Sequence, residues 1–170
     1  LLAMWAVYLY LRRSWLLIAA ILLAVWTRPE GAVVAGLLML IEAVQRRRVP
    51  TFTLRCTAVA FLFSVPWLVF KVLYYGSIFP NPFYAKTSFN MSQVANGIEY
   101  ATRFFKHYPL YGVGLLGGLY LTVRGGLSRA VGALSMFMLL YVAYIVLIGG
   151  DVLKVHRFFI PVFGIAAVLF

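Results

Sequence analysis

The stretch GGDVLKVHRFFIP, Gly149 to Pro161, decides how this chain is read. Asp151, Lys154, His156 and Arg157 crowd into seven residues, the densest cluster of ionisable groups in the sequence. On one side Val131 to Ile148 carries no charge, and on the other Phe158 to Phe170 carries none. A polar island between two such runs is the pattern of a loop at a membrane edge, where charges must stop and hydrocarbon begins. An island tethered on both sides is held at one depth, which suits a charged lipid headgroup. An ordinary polar loop between two spans fits the same residues.

Outward from the island the composition agrees. The chain is 64% hydrophobic and 17% aromatic but only 11% charged, whereas soluble domains are about half apolar. The apolar runs lack the alternation of a membrane barrel. The expected class is all-α, a polytopic transmembrane helical bundle. The net charge of +11 is no case for nucleic acid, because few charges lie on accessible loops. Basic residues flanking spans follow from membrane orientation and anionic lipid. Cys56 is the single cysteine, which rules out an internal disulfide.

Leu1 to Leu11 closes at Arg12 and Arg13, and Trp15 to Trp26 is the second apolar run. Gly31 to Val44 ends at Gln45 and the triplet Arg46 to Arg48. These middle runs are shorter than the roughly 20 residues that crossing requires, so neighbours must shelter them or the helices must extend. Thr53 to Tyr75 is long and contains Pro66, which predicts a kink between Ser64 and Trp67. Leu110 to Val123 carries Gly112, Gly114, Gly117 and Gly118, a composition suited to close helix packing. Val131 to Ile148 crosses back, and a last run starts at Phe158.

The expectation is a fragment of about six to seven spans with one interfacial amphipathic helix, residues 1–170 forming part of a single transmembrane domain. Residues 76–109 form the extracytoplasmic loop. Within it Val94, Ile98, Ala101, Phe105 and Tyr108 recur at helical spacing, while Glu99, Arg103 and Lys106 take another face. Glu99 and Arg103 stand at a favourable i,i+4 spacing.

Alternation then puts Arg12 and Arg13, Arg46 to Arg48, and Arg124 and Arg129 on the cytoplasmic face. The other face carries Arg28 to Glu30, the 75–108 segment and the Asp151 island. It too is basic, with Arg28, Lys86, Arg103, Lys106, Lys154 and Arg157. Orientation does not call for that excess; a polyanionic ligand does.

Each island has a bland and a chemical reading. Arg28 is suited to fork a phosphate or carboxylate, with Glu30 orienting it or binding a sugar hydroxyl; equally, the two form a self-neutralising helix cap. In YYGSIFPNPFYAK, Tyr74 to Lys86, two prolines stiffen the path around Asn81. Phe79, Phe83 and Tyr84 suit a sugar-stacking wall or an interfacial aromatic belt, and Lys86 is a point charge for phosphate. In the third island Asp151 has three readings: metal ligand, sugar acceptor or partner of Arg157. Lys154, His156 and Arg157 supply phosphate donors. One His and one Asp do not make a metal signature.

TRPEG after a short span, YYGSIFPNPFYAK after a long one and GGDVLKVHRFFIPV before another occur in this order. From Trp26 to Val162 the chain resembles the GT-C superfamily of polyprenyl-phosphate-sugar glycosyltransferases. The group includes the mycobacterial terminal β-(1→2) arabinofuranosyltransferase and a flagellar motor control protein. The resemblance implies an integral enzyme of the cell membrane, multi-pass, with its active face extracytoplasmic. It would move a sugar, arabinofuranose or mannose, from a polyprenyl-phosphate donor to a glycan or protein acceptor by an inverting displacement. It would require no cofactor, a divalent metal being the alternative. Donor phosphate would be bound by Arg28, Lys86, Lys154, His156 and Arg157. Sugar or acceptor would be bound by Glu30, Asn81, Tyr84 and Asp151. The general base of such enzymes usually sits in the first outer loop, which would precede Leu1. After GGD this chain has Val152, Leu153 and Lys154 where the related transferases often have a bulky polar pattern.

The rival readings are a transporter or flippase for a lipid-linked or anionic substrate, and a non-catalytic assembly subunit. A transport path needs polar groups through the membrane depth. Here Glu42 lies near a basic loop and Lys71 near the end of its span, where it can snorkel.

Overall fold

A computed structural model describes residues 1–28, 30–76, 91–124, 128–151 and 156–169. The described residues are helical, without strands. The helices are α1 (Leu2–Leu11), α2 (Leu17–Thr27), α3 (Gly31–Arg46), α4 (Thr51–Tyr75), α5 (Met91–His107), α6 (Pro109–Val123), α7 (Arg129–Leu147) and α8 (Ile160–Leu169). A 3-10 turn, Arg157–Phe159, leads into α8. The chain divides into two compact units, Leu1–Ser88 and Phe89–Phe170.

Two helices, α4 with 25 residues and α7 with 19, are long and apolar enough to cross a membrane. The remaining helices fall below the roughly 20 residues of a full crossing. In α4 the buried residues are Phe52, Thr53, Cys56, Ala60 and Ser64, a single stripe along its first half. Phe61, Leu62, Phe63 and Leu73 project outward. Exposed apolar surface of that continuity is what lipid, rather than water, tolerates. The helix runs unbroken through Pro66. Near the proline the Ser64 hydroxyl donates to the Ala60 carbonyl at 2.9 Å, a side-chain bond that commonly accompanies helix bending. Lys71 does not simply extend toward water: its ammonium lies over the Trp67 ring, 3.8 Å from the centroid.

In the first unit α2 packs on α1, α3 and α4. The joint between α2 and α3 is tight because Gly31 has no side chain. A Cβ there would stand 2.3 Å from the Ala24 carbonyl carbon. Trp26 and Trp67 stack at 6.2 Å at the Gly31 end.

At the other end of α3 the fully buried Glu42 ties three segments together. It accepts from the Thr53 amide at 2.9 Å and the Thr53 hydroxyl at 2.6 Å. It also accepts from Arg13, and Arg46 lies 3.6 Å away. Arg13 leaves α1 in the left-handed region, φ +53°, and its guanidinium covers Phe52 at 4.3 Å.

In the second unit α5 packs on α7, and α6 packs on both α7 and α8. The amphipathic helix expected within 76–109 is present as α5, with the Glu99–Arg103 pair formed at 2.5 Å. Its buried face is rotated from the expected one. Gly97, Tyr100, Ala101 and Phe104 are buried, while Ile98 is exposed. The cause is close approach: a Cβ on Gly97 would meet the Val146 carbonyl oxygen at 2.1 Å. A glycine lets α5 lie against α7, and the bulky Ile98 is turned away.

Candidate functional site

The end of α7 is where the second unit concentrates its polar chemistry. Gly149 and Gly150 close that helix with φ of +82° and +67°, a conformation that favours glycine. Space demands glycine as well. A Cβ on Gly149 would meet Gln93 Cγ at 2.6 Å, and one on Gly150 would meet Tyr100 Cβ at 2.7 Å. The chain therefore leaves α7 pressed against α5, and Asp151 follows at once.

Asp151 and Arg157 form a two-pronged ion pair. Arg157 Nη2 donates to Asp151 Oδ1 at 2.9 Å, and Nε donates to Oδ2. The carboxylate side chain is 1% exposed and the guanidinium 43%. The arrangement is asymmetric: a buried anion fixes the orientation of a cation that faces out. Two parallel bonds of this kind lock a guanidinium plane in a way a lysine cannot reproduce. Of the three readings of Asp151, partner of Arg157 is the one formed.

His156 sits in an aromatic enclosure. Its ring centroid is 5.6 Å from Tyr100, 5.5 Å from Phe104, 5.6 Å from His107 and 6.0 Å from Tyr108. Its Nδ1 is buried and has no hydrogen-bond partner among the described residues. Burial holds the imidazole below its ordinary pKa, and the nearby His107 and Arg103 push the same way. His156 is thus set up as a neutral ring rather than a standing cation. Tyr100 links the two features, stacking on Phe159 at 5.6 Å. Burial raises its hydroxyl pKa, a hydrogen bond with the Phe158 backbone and the Arg157 charge oppose the rise, and the Asp151 charge adds to it.

The enclosure rests on Phe104 and Phe159, which stack at 3.7 Å with planes 3° apart. Tyr100, Phe104 and His107 were not among the residues singled out from sequence. Their signal was present: aromatic rings at i, i+4 and i+7 lie on one helix face. They were masked by the apolar residues of the neighbouring stripe.

Arg28 and Glu30 belong to the first unit. Arg28 is exposed and follows α2 in an extended conformation, φ −149° and ψ 133°. Glu30 holds the N-cap position of α3 without a side-chain capping bond. Among the described residues no ion pair joins Arg28 to Glu30, so the self-neutralising cap is not formed. Both residues precede α3, at the end opposite Glu42. Lys86, Asn81, Tyr84 and Lys154 lie outside the described residues.

Among the described residues there is no group of three side chains suited to hold a metal ion. No family model, curated protein or solved structure matches this chain.

Proposed function

We propose that this chain forms part of a polytopic membrane glycosyltransferase that takes a sugar from a polyprenyl-phosphate donor on the extracytoplasmic face of the cell membrane. The observation that carries the reading is the buried Asp151 carboxylate aiming the exposed Arg157 guanidinium outward beside His156. All three follow a helix long and apolar enough to span. At the end of a spanning helix they would meet the level at which a polyprenyl chain presents its phosphate.

In the reaction an acceptor hydroxyl oxygen attacks the anomeric carbon of the donor sugar. The bond from that carbon to the phosphate oxygen breaks, and its electron pair leaves with the lipid phosphate. A carboxylate base takes the acceptor proton. Arg157 offers a fixed positive charge to the leaving phosphate, where charge grows in the transition state. Asp151 keeps the guanidinium plane from turning as it does so. His156, held neutral, can donate a hydrogen bond without adding a second full charge. Arg28, Lys86 and Lys154 are the further phosphate contacts of this reading, with Glu30, Asn81 and Tyr84 on sugar or acceptor. Glycan and protein acceptors, and arabinofuranose or mannose donors, are all compatible with it.

The test is transfer from a polyprenyl-phosphate sugar by the protein reconstituted in vesicles. Arg157→Ala should lower turnover by about a hundredfold, the scale on which loss of one transition-state donor is felt. Arg157→Lys should recover little of it. Transfer at the unaltered rate in a folded Arg157→Ala protein would count against the reading. Donor crossing the bilayer without sugar transfer would point to a flippase instead.

A further inference from the structure

We propose that the basic end of the first unit is a binding site for the phosphate headgroups of anionic membrane lipids, organised by the buried Glu42. The inference is independent of the transferase reading. Six arginines converge on that end from three segments of chain: Arg12 and Arg13 after α1, Arg46, Arg47 and Arg48 at the close of α3, and Arg55 in α4. All six are exposed. The only acid at that end is Glu42, whose side chain is 1% exposed. Arg13 and Arg46 both contact its Oε1 atom. Two guanidinium groups are therefore held beside one oxygen and share a single negative charge. Among the described residues, Arg12, Arg47, Arg48 and Arg55 have no ion pair. The end is left strongly positive, with its neutralising charge buried behind it and its surplus facing out. An external anion completes the balance.

The surroundings identify that anion as a lipid. Trp15, Leu16, Val49 and Leu54 are 58%, 62%, 67% and 48% exposed beside the arginines. A site for a water-soluble anion would sit among polar neighbours. Arginine mixed with exposed tryptophan and leucine is the chemistry of the interfacial zone, where the phosphate is anchored to acyl chains. The backbone supports the presentation. Arg13 and Arg47 both adopt the left-handed region, φ +53° and +49°, which ends each helix abruptly and gathers the basic residues at its rim. Trp15 lies against Phe52 at 5.6 Å, and Phe52 is covered by Arg13. Trp15 is thus a local reporter of what occupies the site.

The experiment reconstitutes the chain in vesicles of phosphatidylcholine mixed with phosphatidylglycerol, with either lipid brominated in turn. Quenching of Trp15 fluorescence is read as the difference from Trp15→Phe. Brominated phosphatidylglycerol should quench more strongly than brominated phosphatidylcholine at equal mole fraction. The preference should fall about fivefold for each arginine removed in Arg47→Gln, Arg48→Gln and Arg55→Gln, and fall again with added salt. Arg124→Gln, in the other unit, should leave it unchanged. Circular dichroism confirms that the variants remain helical, and the three independent changes guard against one that misfolds. Equal quenching by both lipids would overturn the proposal. So would a preference that survives the arginine changes, or one abolished equally by inorganic phosphate in the buffer.

Discussion

Phe104 and Phe159 lie face to face, 3.7 Å between centroids and 3° between planes, and both are fully buried. Through this contact α5 holds the 3-10 turn that begins with Arg157. Phe104→Ala should destabilise the second unit by about 3–5 kcal/mol, the cost of a large cavity in a close-packed core. Phe104→Leu should cost less. Denaturant unfolding in detergent micelles, followed by tyrosine and tryptophan fluorescence, checks both. If the stack positions Arg157, transfer activity should fall with Phe104→Ala even where the protein remains folded.

Gly97 and Gly117 offer a matched pair of tests. A Cβ at Gly97 has the Val146 carbonyl oxygen 2.1 Å away and backbone cannot yield, whereas nothing lies within 4 Å of one at Gly117. Gly97→Ala should destabilise by about 1–3 kcal/mol or more through overpacking. Gly117→Ala, on an open helix surface, should be neutral or stabilise by up to about 1 kcal/mol through helix propensity. Thermal melting of the two variants should move in opposite directions or differ sharply in size.

His156 predicts a pH dependence with a definite sign. Unfolded, its ring titrates near 6.5, and in the fold burial, His107 and Arg103 lower that value. The folded protein thus binds fewer protons at this site than the unfolded chain. Stability from the neutral ring is complete above pH 6.5 and is lost as pH falls below 6.5 toward the folded value. Tyr100, Tyr108, His107 and Arg103 face the ring from α5 and its end, and among them Arg103 is the standing cation. A pH series of thermal unfolding should show the loss on the acid side of 6.5. His156→Phe should flatten it.

Glu42 should be indispensable to the first unit. Glu42→Ala leaves the Thr53 amide and hydroxyl without their acceptor and strands Arg13 and Arg46 without their counter-charge. Arg13 and Arg46, 37% and 50% exposed, regain water, so the cost is about 1–3 kcal/mol, that of a buried donor left without its partner. Glu42→Gln keeps an acceptor for Thr53 and should lose only part of that. Parallel melting curves of the two variants separate the charge from the hydrogen bonds.

How legible all this was depends on the range of the interaction. The helices starting at Gly31 and Pro109 begin within a residue of where the sequence puts them, because proline and glycine act locally through backbone sterics. The Glu99–Arg103 pair was readable because four residues is one helical turn. The buried face of α5 lies one position from where its apolar spacing puts it. Hydrophobicity favours burying Ile98, but the approach of Val146 to Gly97 outweighs it, and no local rule reports a neighbour that is 49 residues away.

That this chain is helical, apolar and punctuated by basic segments follows from residue composition and short-range geometry. Which charges neutralise one another depends on how the helices pack. Asp151 pairs with Arg157 six residues on, Arg28 and Glu30 stay apart although nearly adjacent, and Glu42 pairs with Arg13 from 29 residues away. Proximity along the chain does not set the energy of a charge. Burial does: a carboxylate withdrawn from water must take whatever cation the packing brings within reach.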